Sequence, residues 1–214
     1  PRLPMTLDQL RPRIQALLDP FVRLADRLGL TPNAVSVIAF GLAGAAAVAF
    51  AVGGPAVEAP AGSRAVWYAL GAVCVGLNGW LDVIDGELAR AQDVASEAGD
   101  VLDHVLDRYA DLVIIAGFAA GIGRYDLGLA AVTGVLMTSY LGTQAQAVGV
   151  GRLYAGLLGR ADRLALSGLV GFVAAGVSRT FYGLDVVGWL LVVFAVVGHI
   201  TALQRFREVW GKLD

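Results

Sequence analysis

The sequence has 214 residues, of which 57% are hydrophobic and only 16% are charged, and its mean hydropathy is +0.68. These values exclude an ordinary soluble domain and indicate a membrane protein. The net charge of −2 identifies no partner, and we expect no nucleic-acid partner. The single cysteine, Cys74, lies in an apolar run and excludes both an internal disulfide and a cysteine-rich metal site.

The segment 1–32 precedes the first long apolar run and has an amphipathic pattern. Leu, Ile, Phe and Val are mixed with Arg and Asp at near-helical spacing, which Pro12 and Pro20 are expected to break. This pattern predicts a helix that lies in the membrane interface, and an amphipathic helix packed on the protein's own surface fits it equally well. We expect no cleavable signal peptide, because charges are spread through the segment.

Six apolar runs follow, most of them close to the roughly 20 residues that a helix needs to cross a bilayer. Short connections rich in Gly, Pro and polar residues separate them and leave no room for a second globular domain. The sequence therefore predicts an all-α, polytopic membrane protein with a six-helix transmembrane domain over 33–214. The predicted spans are 33–53, 65–88, 101–122, 127–149, 162–178 and 185–205.

The distribution of Lys and Arg predicts the orientation of these spans. Six spans place both termini, the 2/3 connection and the 4/5 connection on one side. The other side holds only Arg64, Arg124 and Arg179, and Arg108 falls within the third span. The remaining twelve of the 16 Lys and Arg residues share the first side, which is therefore predicted to be cytoplasmic.

Four aspartates lie where the second and third predicted spans face each other. Asp82 and Asp85 are three residues apart, so a helix places both on one face. Asp103 and Asp107 are four apart, with the same result. Should the two pairs converge, the carboxylates would repel one another unless a cation lay among them, and all-oxygen ligands suit Mg²⁺ or Mn²⁺. Ionisable groups within spans are costly and indicate a functional site, whereas solvated helix ends are the plain alternative.

Small residues and an arginine accompany these aspartates. Gly86 and Ala89 leave a slot in which a bulky ligand can approach the helix backbone. Arg90 adds a positively charged guanidinium with paired N–H donors. A metal ion together with an Arg suits a diphosphate, because both stabilise negative charge on phosphoryl oxygens. Gly99 is expected to let the start of the third span pack near the second. Each glycine, taken singly, is also compatible with ordinary helix packing.

The pattern Asp-x2-Asp-Gly-x2-Ala-Arg-x8-Gly-x3-Asp-x3-Asp, from Asp82 to Asp107, resembles the signature of the CDP-alcohol phosphotransferase family. The segment LTPNAVS, from Leu30 to Ser36, is similar to the Thr-Pro-Asn segment that many members carry before their first span. The resemblance implies a six-span core, an N-terminal interfacial helix and a homodimer. It also implies transfer of a phosphoryl-alcohol group from a CDP-linked lipid to an acceptor hydroxyl, with release of CMP.

The same resemblance implies a role for each motif residue. Asp107 would lie near the metals and act as general base on the acceptor, and Arg90 would point at the CDP phosphates. Asn33 either contacts the nucleotide or caps the first helix, two interpretations of equal weight. The predicted metal ligands are Asp82, Asp85, Asp103 and Asp107, and the predicted CDP-binding residues are Gly86, Ala89, Arg90, Asp82, Gly99 and Asn33.

The acceptor is less well defined by the sequence. Arg152, Arg160 and Arg163 follow the fourth span on the active-site side, where they could bind the phosphate of a polyol phosphate. Positive-inside topology explains the same arginines without a ligand. After Ser139 and Tyr140 the sequence lacks the basic residue of inositol-phosphate-using members, which counts against that acceptor. Glycerol phosphate, inositol phosphate, serine and other small alcohols stay open.

Together, these observations predict a phospholipid-synthesis enzyme of the cell membrane that moves a phosphatidyl or archaetidyl group to a small alcohol or polyol phosphate. The usage of Ala, Val, Gly and Asp and the residues that flank the motif resemble those of archaeal members, which would make the donor a CDP-archaeol. A membrane prenyltransferase is the first alternative, but it gives no reason for the small residues around Arg90. A divalent-cation transporter is the second, but it requires a path to both faces, whereas the polar residues concentrate at the cytoplasmic ends of the spans.

Overall fold

The chain folds into a bundle of α-helices in a computed structural model that describes residues 7–58, 60, 62–151, 153 and 156–213. Within these residues there are seven helices and no β-strand beyond a single bridge between Phe181 and Leu184. The predicted all-α class is therefore confirmed. The helices are α1 (Leu7–Arg27), α2 (Pro32–Gly53), α3 (Arg64–Ala91), α4 (Glu97–Ile122), α5 (Tyr125–Ala147), α6 (Arg160–Gly176) and α7 (Val186–Leu213).

Helices α2 to α7 follow the six predicted apolar runs closely. Among the described residues, three of these helices are long and apolar enough to cross a membrane by length and composition, namely α2, α3 and α7. The other three are less typical of a span, since α4 carries aspartates through its first half and α6 has only 17 residues. Among the described residues the fold is thus all-helical, with three helices that have the length and composition of membrane spans.

Helix α1 is continuous, contrary to the expected interruptions at Pro12 and Pro20. A proline removes one backbone donor and need not end a helix when neighbouring residues hold it in place by packing. Here Leu18 and Val22 are buried against Val35 of α2 and Leu88 of α3. The face of α1 next to this buried one is apolar and exposed, with Leu17, Phe21 and Leu24, and Phe21 lies edge-on to Trp80 of α3.

Helix α2 packs against both α3 and α4 and so organises the core. Phe50 of α2 stacks on Phe118 of α4 with ring centroids 3.9 Å apart, and neither ring is exposed. Glycine permits this approach, because a Cβ added at Gly117 would lie 2.4 Å from the Ala47 carbonyl oxygen. The two helices are therefore in backbone contact at the end of the bundle that lies away from the aspartates.

Candidate active site

Three of the four predicted metal ligands converge between α3 and α4. Asp82 and Asp85 extend from α3 and Asp103 from α4, and one carboxylate oxygen of each lies within 4.8 Å of the others. Only 6% of Asp85 is exposed, and a buried carboxylate among like charges is costly unless a cation balances it. Three hard oxygen ligands at this spacing fit a divalent ion such as Mg²⁺ or Mn²⁺.

Asp85 is held from α2 by a side chain that the motif does not include. The Ser36 hydroxyl donates a hydrogen bond of 2.6 Å to Asp85 Oδ2, and both residues are buried. Ser36 lies one turn into α2, which begins where the Thr31 side chain accepts a hydrogen bond from the Ala34 N–H at 3.2 Å. The start of α2 therefore positions a partner for the aspartate on α3.

Asp107 lies one turn beyond Asp103 and contacts an arginine. Arg160 Nη2 is 2.7 Å from Asp107 Oδ1, and Arg160 Nη1 is 2.5 Å from Asp82 Oδ2. Arg160 is the first residue of α6, where the Gly159 N–H donates to Asp162 Oδ2 at 2.8 Å and so stabilises the helix start. One guanidinium thus bridges an aspartate of α3 and an aspartate of α4.

A cavity of about 340 Å³ opens beside the aspartates, between the start of α2 and the α3–α4 connection. Arg90 forms an ion pair of 2.8 Å with Glu87, and a Cβ added at Gly86 would lie 3.6 Å from Arg90 Nη2. The absence of a side chain at Gly86 therefore keeps this wall open next to a guanidinium. The cavity is lined by all the predicted CDP-binding residues except Asp82, namely Asn33, Gly86, Ala89, Arg90 and Gly99.

The structure removes one of the two interpretations of Asn33 and contradicts the expected packing of Gly99. Asn33 does not cap α2, because Thr31 does so, and Asn33 lies on the cavity wall instead. Gly99 does not pack on α3, since a Cβ there would meet only Ser96 Oγ at 3.3 Å and Asn33 Oδ1 at 3.6 Å among the described residues. Gly99 instead makes room for the start of α2, and its N–H donates to the capping Ser96 hydroxyl at 3.1 Å.

The three arginines predicted to bind the acceptor have different surroundings. Arg160 lies in the site, whereas Arg152 is outside the described residues. Arg163 is buried, and its Nη2 is 2.5 Å from Asp111 Oδ2. Arg163 also donates to the Leu158 carbonyl oxygen at 3.4 Å. Its guanidinium is therefore engaged in the packed interior, and of the two arginines that the structure describes it is Arg160 that faces the aspartates predicted to bind metal.

Sequence reasoning missed Ser36 and Asn78. Asn78 is 1% exposed, its Nδ2 donates to the Ala39 carbonyl oxygen of α2 at 2.8 Å, and it shares a small cavity with Asp82, Asp107 and Arg160. Asn78 could have been found, since it lies one helical turn before Asp82 on the same face. Ser36 belongs to the LTPNAVS segment, but no local pattern pairs it with Asp85.

Comparisons with known proteins identify the family of this chain. The sequence model described as CDP-alcohol phosphatidyltransferase matches residues 29–203. Archaetidylinositol phosphate synthase of Methanothermobacter thermautotrophicus is 32% identical over 97% of this chain and 95% of that protein. The enzyme of the same name from Pyrococcus horikoshii is 27% identical over 97% and 98%. Phosphatidylinositol phosphate synthase of Mycobacteroides abscessus is 29% identical over 92% and 87%.

Solved structures show the same fold. The crystal structure of Mycobacterium tuberculosis phosphatidylinositol phosphate synthase with CDP-DAG bound is 25% identical, covers 91% of this chain and 94% of that one, and superposes with a TM-score of 0.74. The complex of that enzyme with manganese and citrate has the same TM-score at 24% identity, over 90% of this chain and 88% of that one.

The predicted family and reaction class are confirmed by this agreement. The matched residues contain all four motif aspartates, the whole of α2 and α3, and α7 as far as residue 203. The family and the converging carboxylates agree with the predicted Mg²⁺ or Mn²⁺ cofactor. The chain belongs to the CDP-alcohol phosphatidyltransferase family and is a membrane transferase that moves a lipid phosphoryl group from a CDP-linked donor to an alcohol with release of CMP.

Proposed function

We propose that the acceptor is an inositol phosphate, so that the product is a lipid-linked inositol phosphate. The relatives that cover 97% of this chain carry archaetidylinositol phosphate synthase as their name. The observation that carries the proposal is the guanidinium of Arg160 beside Asp107 and Asp82. A guanidinium recognises phosphate with paired donors, and here it lies next to the carboxylate proposed as the base.

The sequence after Tyr140 lacks the basic residue that inositol-phosphate-using members carry there. A basic side chain from another helix lies near this position instead. Arg205 of α7 donates from Nη1 to the Thr138 carbonyl oxygen at 2.6 Å. A Cβ added at Gly142 would lie 2.8 Å from the same nitrogen, so the glycine makes room for the arginine. Positive charge therefore reaches this part of α5 from α7, and a basic residue within α5 itself is not required for an anionic acceptor.

The proposed roles at the metal and donor sites follow from the chemistry of the residues. Asp82, Asp85 and Asp103 would hold the divalent metal, with Asp107 beside them; a metal there would supply stabilisation of negative charge on the transferred phosphoryl group. Arg90 binds the donor diphosphate, while the small side chains at Gly86 and Ala89 admit the nucleotide. Gly99 and Asn33 complete the cavity on the side of α2.

Asp107 is proposed as the general base. It needs only to accept the proton of the acceptor hydroxyl as that oxygen forms a bond to phosphorus and the bond from phosphorus to CMP breaks. The contact with Arg160 orients the Asp107 carboxylate. Because Arg160 is the residue proposed to bind the acceptor phosphate, the same contact places that phosphate close to the base.

We also propose how the helices and the active site are placed relative to the membrane. Residues 33–214 form a six-span domain with the aspartates at the cytoplasmic end, and residues 1–32 contain a helix that lies in the interface among membrane lipids. The asymmetry of Lys and Arg supports the orientation, and the exposed apolar face of α1, with Leu17, Phe21 and Leu24, supports the interfacial helix. A homodimer rests on the family resemblance.

The activity test uses purified protein with CDP-archaeol or CDP-diacylglycerol and measures CMP. Each donor is combined with Mg²⁺ or Mn²⁺ and with inositol phosphate, inositol, glycerol phosphate or serine. We expect CMP release with inositol phosphate, loss of release with a chelator, and recovery when the metal is restored. Release with another acceptor alone would overturn the proposed acceptor, and no release with any acceptor by folded protein would overturn the transferase.

The arrangement is tested with single-cysteine variants in a Cys74→Ser background. A membrane-impermeant thiol reagent applied from outside intact cells should label a cysteine at Tyr182, which is exposed between α6 and α7. It should label one at Ala95, in the α3–α4 connection, only after permeabilisation. The opposite pattern would reverse the orientation, and a monomeric mass in detergent by light scattering would contradict the homodimer.

A further inference from the structure

Ser36 makes the closest contact that α2 offers to the aspartate cluster. Its hydroxyl is 2.6 Å from Asp85 Oδ2 and 3.1 Å from the Pro32 carbonyl oxygen. A hydroxyl has one proton to donate, and the shorter distance to a charged acceptor directs that proton to Asp85. The hydrogen bond is buried at both ends, because Ser36 is 8% exposed and Asp85 is 6% exposed.

Ser36 also lies at the boundary between two cavities. It lines the cavity of about 340 Å³ that contains Arg90 and also the small cavity that contains Asp82, Asp107 and Arg160. Asp85 lines both as well. The hydrogen bond therefore crosses from the helix that borders the donor cavity to a carboxylate of the metal site, and it joins residues 49 positions apart in the chain.

A hydrogen bond to a ligating carboxylate affects the metal as well as the protein. It selects one rotamer of the carboxylate, so that the remaining ligand oxygen is held in place before the ion arrives. Without the hydroxyl, Asp85 would gain freedom that the ion must then remove, while repulsion from Asp82 and Asp103 would favour rotamers that point away from the cluster.

We propose that Ser36 is a positioning residue of the metal site, which sets the affinity for the divalent ion by holding Asp85 from α2. The inference rests on the metal site of the proposed function and adds a residue outside the Asp82–Asp107 motif. Loss of a hydrogen-bonding partner of a metal ligand commonly weakens metal affinity by roughly 10- to 100-fold, and we expect a loss in this range.

The test measures Mn²⁺ binding directly, by electron paramagnetic resonance of unbound Mn²⁺ in a titration of the purified full chain without donor or acceptor. Ser36→Ala should raise the Mn²⁺ dissociation constant about 10- to 100-fold. Ser36→Thr retains the hydroxyl and should bind close to the wild-type value. Ser167→Ala removes another buried serine hydroxyl, on α6, and is the matched control that should leave Mn²⁺ binding unchanged.

A second readout separates positioning from folding. In turnover assays, Ser36→Ala should need more Mn²⁺ for half-maximal rate by the same factor, while its rate at saturating Mn²⁺ and its metal-free melting temperature should match those of Ser167→Ala. Wild-type affinity in Ser36→Ala would overturn the inference, and so would equal weakness of folded Ser36→Ala and Ser36→Thr.

The outcome for Ser36 is distinguishable from the outcome for the proposed reaction. Weak Mn²⁺ binding by Ser36→Ala supports the inference even if the wild type releases no CMP, in which case only the reaction is wrong. Unchanged Mn²⁺ binding with normal CMP release by the wild type removes the role of Ser36 and leaves the reaction intact.

Discussion

Two arginines at the start of α6, Arg160 and Arg163, serve different purposes although they are only three positions apart. Arg163 and Asp111 form a pair of one guanidinium and one carboxylate, with side chains 8% and 3% exposed. Arg160 contacts two carboxylates, Asp82 and Asp107, and lies among four. The first pair is balanced in charge, closed to solvent and lines only a small cavity. The second group has an excess of negative charge and includes Asp85 and Asp103, which line the cavity of about 340 Å³.

The difference indicates how a membrane chain can combine a structural and a functional use of the same residue types. A balanced buried pair leaves no net charge to attract a ligand. Removal of one partner leaves the charge of the other buried and uncompensated. An unbalanced cluster retains affinity for a cation and leaves a guanidinium within reach of an anion. We therefore expect changes at Arg163 and Asp111 to affect stability, and changes around Arg160 to affect metal, acceptor and turnover.

The largest effect is expected for Asp107→Asn, which keeps the shape of the side chain but removes its basicity. Turnover should fall by about 10²- to 10⁴-fold, the usual contribution of a general base. Donor binding, measured by calorimetry with a CDP-lipid, should persist. Asp93→Asn in the α3–α4 connection is the control, since Asn tolerates the positive φ of 54° there. Near-normal turnover of Asp107→Asn would remove Asp107 from the base role.

The next effect concerns the balanced pair. Asp111→Ala should destabilise the protein by about 3–5 kcal/mol, because the Arg163 guanidinium stays buried without its carboxylate. The double variant Asp111→Leu with Arg163→Met removes both charges and should recover most of that stability. Thermal unfolding in detergent provides the measurement. If the single and double variants unfold alike, the pair does not act as a unit.

A smaller effect is expected for Arg160→Ala on the acceptor. The acceptor KM should rise about 10- to 100-fold, since a hydrogen bond to a charged group contributes about 1.5–3 kcal/mol. The donor KM should stay near the wild-type value, and Arg160→Lys should recover part of the loss. Arg163→Ala is the comparison, with reduced stability and an unchanged acceptor KM in the folded fraction. Equal increases in acceptor KM would erase the distinction between the two arginines.

The smallest effect is expected at Arg108, which lies between the two groups. Its Nη1 donates a hydrogen bond to the Ser139 hydroxyl of α5, for which a glutamine amide retains a donor. Its contacts with the two groups are longer: the guanidinium is 3.6 Å from Asp107 Oδ2 and 3.8 Å from Asp111 Oδ2, and 29% of the side chain is exposed. Such long, partly solvated contacts contribute about 1 kcal/mol or less. Arg108→Gln should therefore lower both stability and kcat only slightly. A loss as large as that of Asp111→Ala would show that Arg108 joins the two groups into one network.

Local patterns in the sequence were enough to predict the helices and the motif face. Apolar runs near membrane length coincide with α2 to α7, and the spacing of Asp82 and Asp85 places both on one side of α3. Local ambiguity caused the errors at the start of α2. Thr31 and Asn33 are both plausible caps, and only the geometry of the helix start distinguishes them.

Long-range contacts account for what the sequence could not reveal. Arg160 and Arg163 have the same residue type and nearly the same position, and their roles diverge because Asp107 and Asp111 lie one turn apart on a distant helix. The hydrogen bond from Ser36 to Asp85 depends on the packing of α2 against α3, which a single sequence does not encode in any periodic pattern.

The close approach of α2 and α4 at Gly117 has a mechanical consequence for the metal site. Gly117 lies about 21 Å along α4 from Asp103, at 1.5 Å per residue. The backbones of α2 and α4 touch at Gly117. Ser36 of α2 and Asp103 of α4 lie near the other ends of the same two helices, where both line the cavity of about 340 Å³. A methyl group at Gly117 would overlap the Ala47 backbone and push α2 and α4 apart, and we expect this to change the distance between Ser36 and Asp103 and so the affinity for a divalent cation.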